Sequence, residues 1–486
     1  MCNIQNLAKK AGEGMVNGEG HVLKEINTQL SAIEIYELFC LEVNSAVLDS
    51  NMNTEGISRY SFIVRDPFLT FASKGKRVVI TREENVQIIE EADPFEELRL
   101  LLAKYQMPRH TDVQPFAGGA LGYFSYDLAY LLEKLPHNST DDYEIDDIYL
   151  SFYDMVIIAD HQEHKTYISS TGFPELDAAK RRSRAEQRLL MLEQVILGNI
   201  KPPVKISPTG LQDTYTSNFT RKQYHAVVQK AIDYIAAGDI FQVNLSQRMF
   251  AKIAEPPFAL YKKLRNISPA PFSCFINLPR VTIASSSPER LFSLRGKMVE
   301  TRPIKGTRPR STDPVIDAKM RDELWASEKD QAELVMIIDL ERNDLGRVCT
   351  YGTVKVPNLI RVEEYATVFH LVSTVTGELE NGKDIIDLLK ATFPGGSITG
   401  APKVRAMEII DEIEPVRRGI YTGSIGYIDF SGDADLNIAI RTFVIKDNIA
   451  YFQVGGGIVA DSNPNMEYEE TLHKAKGLIE ALGNGR

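Results

Sequence analysis

The sequence predicts an α+β fold built on antiparallel sheets. Strand-like runs follow one another in hairpin-like series, and helical patterns are interspersed among them without the strict alternation of a doubly wound parallel sheet. No repeat at a period of about 20–50 residues competes with that reading.

The elements follow in order. SAIEIYELFCLEV has helical spacing, and YSFIVRDP, LTFASKG, RVVITRE and VQIIEEA are short strand-like runs between turn residues. FEELRLLLAKYQ reads as an amphipathic helix, then GGALGYFSYD and YLSFYDMVIIADH as strands. ELDAAKRRSRAEQRLLMLEQVILG reads as a long helix with one apolar stripe and a basic, solvated face. KPPVKISPTG (201–210), with three prolines, is the linker candidate. TRKQYHAVVQKAIDYIAAGD is a helix with Thr220 as N-cap and Gly238 near its end. Strands at FQVNLSQRMFAKI, FSCFINL, VTIASSS, FSLRG and MVETRPI precede a helix, KDQAELVMIIDLERND, whose start carries a Ser327-x-x-Asp330 capping pattern. Strands at GTVKVPN and VFHLVSTVTGEL come next. The C-terminal part holds helices at DIIDLLKATF, PKVRAMEIIDEI and MEYEETLHKAKGLIEAL, with strands at SIGYIDF, LNIAIRTFVI and YFQVGGGIV between them.

Composition narrows the functional classes. The chain has 486 residues, 43% of them hydrophobic and 25% charged, which excludes a mainly disordered chain. A formal charge of −11 with no dense Lys/Arg run argues against nucleic-acid binding. No apolar run approaches the ~20 residues of a membrane span. Cys2, Cys40, Cys274 and Cys349 are scattered, without CxxC, which fits a reducing compartment. The start is polar and Gly-rich, without the apolar stretch of a signal peptide. The expectation is a cytoplasmic protein with a loose tail over 1–20.

Four segments carry chemistry-bearing patterns. In GGSITGAPKVRAMEII, Thr399 suits an N-cap and Pro402 the first helical position, so the segment is either a tight turn before a good helix start or an anion-binding N-terminus. Asp330 and Glu333, and likewise Glu467 and Glu470, are spaced i,i+3, each pair on one helix face. They are solvated faces or, opposed across a cleft, oxygen ligands for a hard cation such as Mg²⁺. In SSSPERLFSLRGKMVETRPIKGTRPR, Lys305 is a surface lysine on a turn, a phosphate or carboxylate ligand, or an amine nucleophile; the last needs burial or cationic neighbours such as Arg302 and Arg308. Glu289, 16 residues earlier, could serve as a general acid. YFQVGGGIVADS places three glycines after a strand, where a ligand could approach the backbone closely.

Together these segments resemble the chorismate-utilising enzymes, a family that includes anthranilate synthase component I, aminodeoxychorismate synthase component I and the isochorismate and salicylate synthases. The resemblance rests on FQVNLSQR, SSSPERL, RPIKGTRPR, AELVMIIDLERNDLGRV, VFHLVSTVTG, FPGGSITGAPKVRAMEIIDEIEP, YTGSIGYID, IAIRT and GGGIVADSNPNMEYEET, in the family's order over roughly 215–484. It implies two packed antiparallel sheets flanked by helices, a catalytic region over 215–484, and an N-terminal region over 21–205 whose strands join the same body. Gln242 stands where the isochorismate and salicylate synthases carry a water-activating lysine. Lys305 stands where anthranilate synthases usually carry alanine, the mark of the aminodeoxychorismate synthase component I branch, which serves para-aminobenzoate and folate synthesis.

The resemblance further implies Mg²⁺ on Glu333 and Glu470, with Asp330 and Glu467 behind them through water. It implies Lys305 as nucleophile and Glu289 as acid. Substrate contacts would come from Arg441, Tyr421, Lys474, Thr399, Gly400, Ala401, Gly456 and His370. No glutaminase nucleophile elbow surrounds any cysteine, so a separate glutamine amidotransferase subunit is the expected ammonia source. VLDSNMNTEGISRYSF resembles the family's tryptophan segment, with Leu-Asp-Ser where the family often has Leu-Glu-Ser; Ser50, Arg59, Tyr60, Pro269 and Phe272 are its candidate contacts. The alternatives are anthranilate synthase component I and a catalytically silent tryptophan-binding subunit.

Overall fold

The computed structural model describes residues 15–17, 20–50, 57–109, 115–198, 215–365 and 368–483. The linker candidate at 201–210 lies outside them, as does most of the expected tail. Two large sheets, of 13 and 12 strands, dominate the described chain. Their ladders are antiparallel, as the hairpin-like series predicts.

Strand alternation sets the layers. In Ser45–Asp49, Val47 faces one apolar core, while Ala46 and Leu48 face another. Ile157 and Phe275 repeat the pattern, with Val156, Ile158, Cys274 and Ile276 on the opposite side. The second of these cores also takes Leu121, Ile425 and Tyr427 from the 12-stranded sheet, so it is the layer between the sheets. The outer face of the 13-stranded sheet is covered by helices including Ala178–Gly198, Pro257–Ile267 and Pro464–Ala481. The outer face of the 12-stranded sheet is covered by Pro94–Lys104, Glu328–Gly346 and Ile385–Thr392. The result is helix, sheet, sheet, helix. Both sheets draw strands from either side of the 201–210 segment: Ser45–Asp49 pairs with Phe272–Asn277, and Gly119–Phe124 with Ser424–Asp429.

Three expectations change. YLSFYDMVIIADH is not one strand: Ile148–Tyr153 belongs to the 12-stranded sheet and Met155–Asp160 to the 13-stranded one. LNIAIRTFVI likewise divides into Ala434–Asn437 and Thr442–Lys446, one in each sheet. The basic face of the Ala178–Gly198 helix is not wholly solvated. Arg181 is buried and donates to the Thr171 carbonyl at 2.8 Å, and Arg188 pairs with the fully buried Asp154 at 2.9 Å, at the point where the first of these divided strands changes sheet. The expected cap at Thr220 is present as a full capping box with Gln223. Among the described residues no helix is long and apolar enough to cross a membrane.

Candidate active site

Strands that change sheet create the site. Thr282–Ser287 lies in the 13-stranded sheet and Arg290–Arg295 in the other, so Glu289 occupies the crossover. Arg441 occupies the crossover between Ala434–Asn437 and Thr442–Lys446, with φ +50°, an uncommon conformation for a residue with a side chain. The two crossovers are bonded to each other. The Ile438 amide donates to the Glu289 carbonyl at 2.9 Å, and the Ser286 amide to the Arg441 carbonyl at 3.1 Å. An acid and a cation from distant parts of the chain are thereby fixed side by side.

Glu289 is buried, and its Oε1 has no hydrogen-bond partner among the described residues. Burial raises its carboxyl above the ordinary range, against the pull of the nearby Ser397 hydroxyl and the Lys305 ammonium. Burial lowers the Arg441 guanidinium, with Glu289 opposing. No side-chain hydrogen bond or ion pair engages that guanidinium among the described residues.

Lys305 lies on Ile304–Pro309, whose ladder with Val368–Glu378 is interrupted between Lys305 and Thr307. Gly306 makes that irregularity at φ +68°, and a Cβ there would lie 2.9 Å from Asp330 Cγ and from Leu324 Cδ1. The interruption turns Lys305 inward, where Nζ stands 3.9 Å from Glu333 Oε2. Burial lowers the Lys305 amine, and Lys474 adds to the effect, while Glu333, Glu289 and Glu470 oppose it. The expected cationic neighbours are not the ones found: Arg302 pairs with Glu363, and Arg308 with Asp330 at 3.3 Å.

His370 faces the same turn, its Nδ1 3.0 Å from Thr307 Oγ1 and 3.2 Å from the Gly306 carbonyl, which fits a proton on Nδ1. Burial and then Arg441 lower it to about 4, so the ring is neutral near pH 7.

The carboxylates come from two helices. On Pro464–Ala481, Glu470 accepts from Lys474 at 2.7 Å, and Glu467 from the Ser462 hydroxyl at 2.7 Å. Lys474 also donates to the Gly455 carbonyl at 2.9 Å. A Cβ on Gly456 would stand 3.2 Å from Glu470 Oε1 and 3.4 Å from Glu467 Oε2, so both carboxylates overhang one glycine of the strand. Burial raises Glu467, with Ser462 opposing and Glu470 adding to it. Burial also raises Glu333, against Lys305. Burial would raise Glu470, but Lys474, with Lys305 and Lys329 adding to it, outweighs burial and lowers it. Among the described residues no three His, Cys, Asp or Glu side chains converge as a metal cage. Magnesium needs only one or two carboxylates beside water and substrate oxygens, and the all-oxygen pair over Gly456 fits that demand. Asp330 is engaged by Arg308.

Thr399 does not cap a helix. Its hydroxyl donates to the Gly395 carbonyl at 3.0 Å, and Gly400–Ala401 pairs as a short strand with Gln242 and Val243. Gly400 has φ +144°, and a Cβ there would stand 2.2 Å from the Gln242 carbonyl. The helix begins only at Lys403, with Pro402 itself in the N-cap position because its ψ of 141° is extended. Tyr421 is buried close by, beneath the Arg418 guanidinium at 5.7 Å.

The tryptophan candidates gather only in part. Ser50 follows Ser45–Asp49, which is flanked by Tyr60–Val64 and Phe272–Asn277. Ser50, Tyr60 and Phe272 therefore share one sheet end. Arg59, stacked over Tyr60, is already paired with Asp160 at 2.7 Å. The Phe272 ring lies under Arg290 at 5.2 Å, and Pro269 is half-buried. Asp49 of the Leu-Asp-Ser motif is turned inward to Arg265 and Tyr261. Residues 51–56 lie outside the described residues.

Two groups escaped the sequence reading. Lys329 interacts with Glu333, Glu467 and Glu470. Glu341, buried and accepting from Thr301 at 3.1 Å, interacts with Glu289. The spacing of Glu333, Ile337, Glu341 and Asp344 along one helix face was the available signal.

The chain matches the chorismate binding enzyme family over residues 53–480. It is 40% identical over 428 residues to aminodeoxychorismate synthase component 1 of Bacillus subtilis, covering 87% of this chain and 89% of that protein. It is 41% identical over 428 residues to anthranilate synthase component 1 of Thermus thermophilus, with the same coverage of 87% and 89%. The crystal structure of anthranilate synthase component I from Streptococcus pneumoniae superposes with a TM-score of 0.76 at 32% identity, covering 92% of this chain and 97% of that one. The chain belongs to the chorismate-binding enzymes.

Proposed function

We propose that the chain converts chorismate and ammonia to 4-amino-4-deoxychorismate. The observation that carries this reading is Lys305. It is a largely buried amine, lowered by its surroundings, on an inward-turned strand irregularity opposite Glu333 and electrostatically linked to Glu289. Lowering an amine's affinity for its proton makes the neutral, nucleophilic form easier to reach. Its amine adds at C2 of the chorismate ring while the C4 oxygen departs. Glu289, whose burial favours the protonated form, supplies the proton to that oxygen. Ammonia then adds at C4, the C2–N bond to Lys305 breaks, and the amine is regenerated.

Arg441, whose guanidinium is free among the described residues, with Tyr421 and Lys474, would take the enolpyruvyl carboxylate. Thr399, Gly400, Ala401 and Gly456 would line the ring carboxylate, and neutral His370 the ring hydroxyl. Glu333 and Glu470 would hold Mg²⁺, with Glu467 and Asp330 behind them through water, and the metal when bound would offset negative charge on the ring carboxylate. Ammonia would come from a separate glutamine amidotransferase subunit.

The anthranilate reading has its own support in the 41% identical relative. Lys305→Ala separates the two. With chorismate, Mg²⁺ and ammonium, loss of aminodeoxychorismate, or a switch to anthranilate, supports covalent catalysis by Lys305. Wild-type levels of aminodeoxychorismate from the variant would refute it. Anthranilate from the unmodified chain would establish the second reading. No product from a folded chain would favour a silent regulatory subunit.

A further inference from the structure

One buried acid is not used by the reaction proposed above. Glu341, on the helix Glu328–Gly346, is only 8% exposed. The Thr301 hydroxyl donates to its Oε2 at 3.1 Å, and no cation pairs with it among the described residues. Lys403, the cation that acts on it, is itself bound to Asp344 and to the Thr392 carbonyl at 3.2 Å. A carboxylate buried without a cation is costly, so Glu341 keeps its proton.

The fold carries this acid to Glu289. Glu333 approaches Lys305 to 3.9 Å. Glu341 follows it after two more helical turns, roughly 12 Å along the helix axis. Thr301 lies on the chain before Lys305, about 13 Å away along an extended strand. The two spans match, so the helix runs along 301–305 with Glu333 at Lys305 and Glu341 at Thr301. Arg290 stands opposite Arg302 in the neighbouring ladder. Side chains alternate, so Glu289 and Thr301 share the other face, the one this helix covers. Glu289 interacts with both Lys305 and Glu341, and its Oε1 has no hydrogen-bond partner among the described residues.

We propose that Glu341 is a positioning residue for this reaction: with Glu289 it forms a buried carboxyl pair that cannot carry two negative charges and so keeps a proton within reach of the departing C4 oxygen. The inference rests on that reading of the function. When Glu289 has lost its proton, the O–H bond of Glu341 breaks and one forms on Glu289, each electron pair staying on its oxygen. After ammonia adds at C4, the nitrogen sheds the proton that refills the pair. The surroundings of Glu289 make such a reserve useful. Burial favours its neutral form, but the Ser397 hydroxyl, Lys305, the Ile304 amide and Lys474 favour the charged form, and Arg441 faces it as well. Glu341 has the opposite balance. Burial and then Glu289 push its carboxyl well above the carboxylate range; Thr301 opposes, Asp344 adds to the rise and Lys403 opposes it. Protons therefore leave in two steps that belong to the pair, and the second proton is held to higher pH.

Infrared titration of the full chain without substrate reads the pair directly. A C=O stretch of a protonated carboxyl should be present at pH 7 and missing in Glu341→Gln. In Glu289→Gln that band should titrate about one pH unit lower, the size that marks a coupled pair. Steady-state kinetics with chorismate, Mg²⁺ and saturating ammonium reads the consequence. Glu341→Gln should match the parent in kcat at acid pH, lose kcat on the alkaline side about one pH unit earlier, and leave the KM for chorismate unchanged. Glu341→Met, equally unable to ionise, should behave alike and decides the matter if Glu341→Gln does not fold. A Glu341 carboxyl already ionised at pH 7, or a titration indifferent to Glu289→Gln, overturns the proposal. An equal loss of kcat at every pH means a structural role and also overturns it. A coupled titration in a chain that yields no amino product is a different failure, that of the proposed reaction, and the positioning role falls with it.

Discussion

Glu289 is a carboxyl group whose surroundings favour its neutral form. Burial is the main cause, and one oxygen has no hydrogen-bond partner among the described residues. The sign of the consequence follows from linkage. A carboxyl raised on folding contributes stability below its unfolded value of about 4.3 and loses that contribution as pH rises through the folded value. Glu289→Gln keeps the shape and removes the titration. It should lower turnover of chorismate about 10²–10⁴-fold, the usual worth of a general acid. It should also unfold at an equal or higher temperature than the parent at pH 8, as strain at a functional site predicts. Paired activity and thermal-melt measurements check both halves; a marked drop in melting temperature at pH 8 would mean that the carboxylate is structural. The residue types at this site were legible in the sequence because acid, amine and guanidinium all stood in quotable motifs. Their partners were not. Nothing local to Arg302 or Arg308 reveals that Glu363 and Asp330 occupy them, and Lys474 acts on Lys305 only because the last helix packs across the strand that carries Gly455–Gly457.

Among the secondary-structure elements, the interrupted strand Ile304–Pro309 carries the most functional weight. Gly306 lies in the left-handed region, and any side chain there would press on Asp330 and Leu324. Gly306→Ala should cost about 2 kcal/mol by combining an unfavourable φ with a close contact. It should also move Lys305 relative to Glu333, so turnover should fall by more than the loss of folded protein explains. Denaturant titration alongside activity per folded molecule separates the two effects. Most elements were legible, since period-two strands and capped helices such as the one after Thr220 obey local rules. The crossovers were not. LNIAIRTFVI and YLSFYDMVIIADH keep an unbroken apolar pattern through the point where each strand changes sheet, because both sheets present apolar faces to the same inner core. The positive φ of Arg441 is likewise imposed by tertiary packing, since arginine itself does not favour it. The GGSITGAPK segment misled for a related reason. Its glycines serve a two-residue strand against Gln242 and Val243, which delays the helix to Lys403.

At the scale of the whole molecule, an acidic chain concentrates positive charge where two sheets exchange strands. Lys305 comes from the 12-stranded sheet, Arg441 from a crossover and Lys474 from a helix on the 13-stranded sheet, so assembly of the site requires the complete sandwich. The described residues on either side of the 201–210 segment share both sheets. Ser45–Asp49 lies between Tyr60–Val64 and Phe272–Asn277, and Gly119–Phe124 between Ile148–Tyr153 and Ser424–Asp429. Cutting the chain in the 201–210 segment and separating the pieces would expose one full strand edge in each sheet on each fragment, together with the apolar layer between the sheets. Neither fragment expressed alone should fold, whereas the two expressed together should reassociate and regain turnover of chorismate. The intact chain should accordingly unfold in a single calorimetric transition. A 215–484 fragment that is monodisperse, cooperatively folded and active without its counterpart would show that the shared sheets are a docking of two independent domains and not one folding unit.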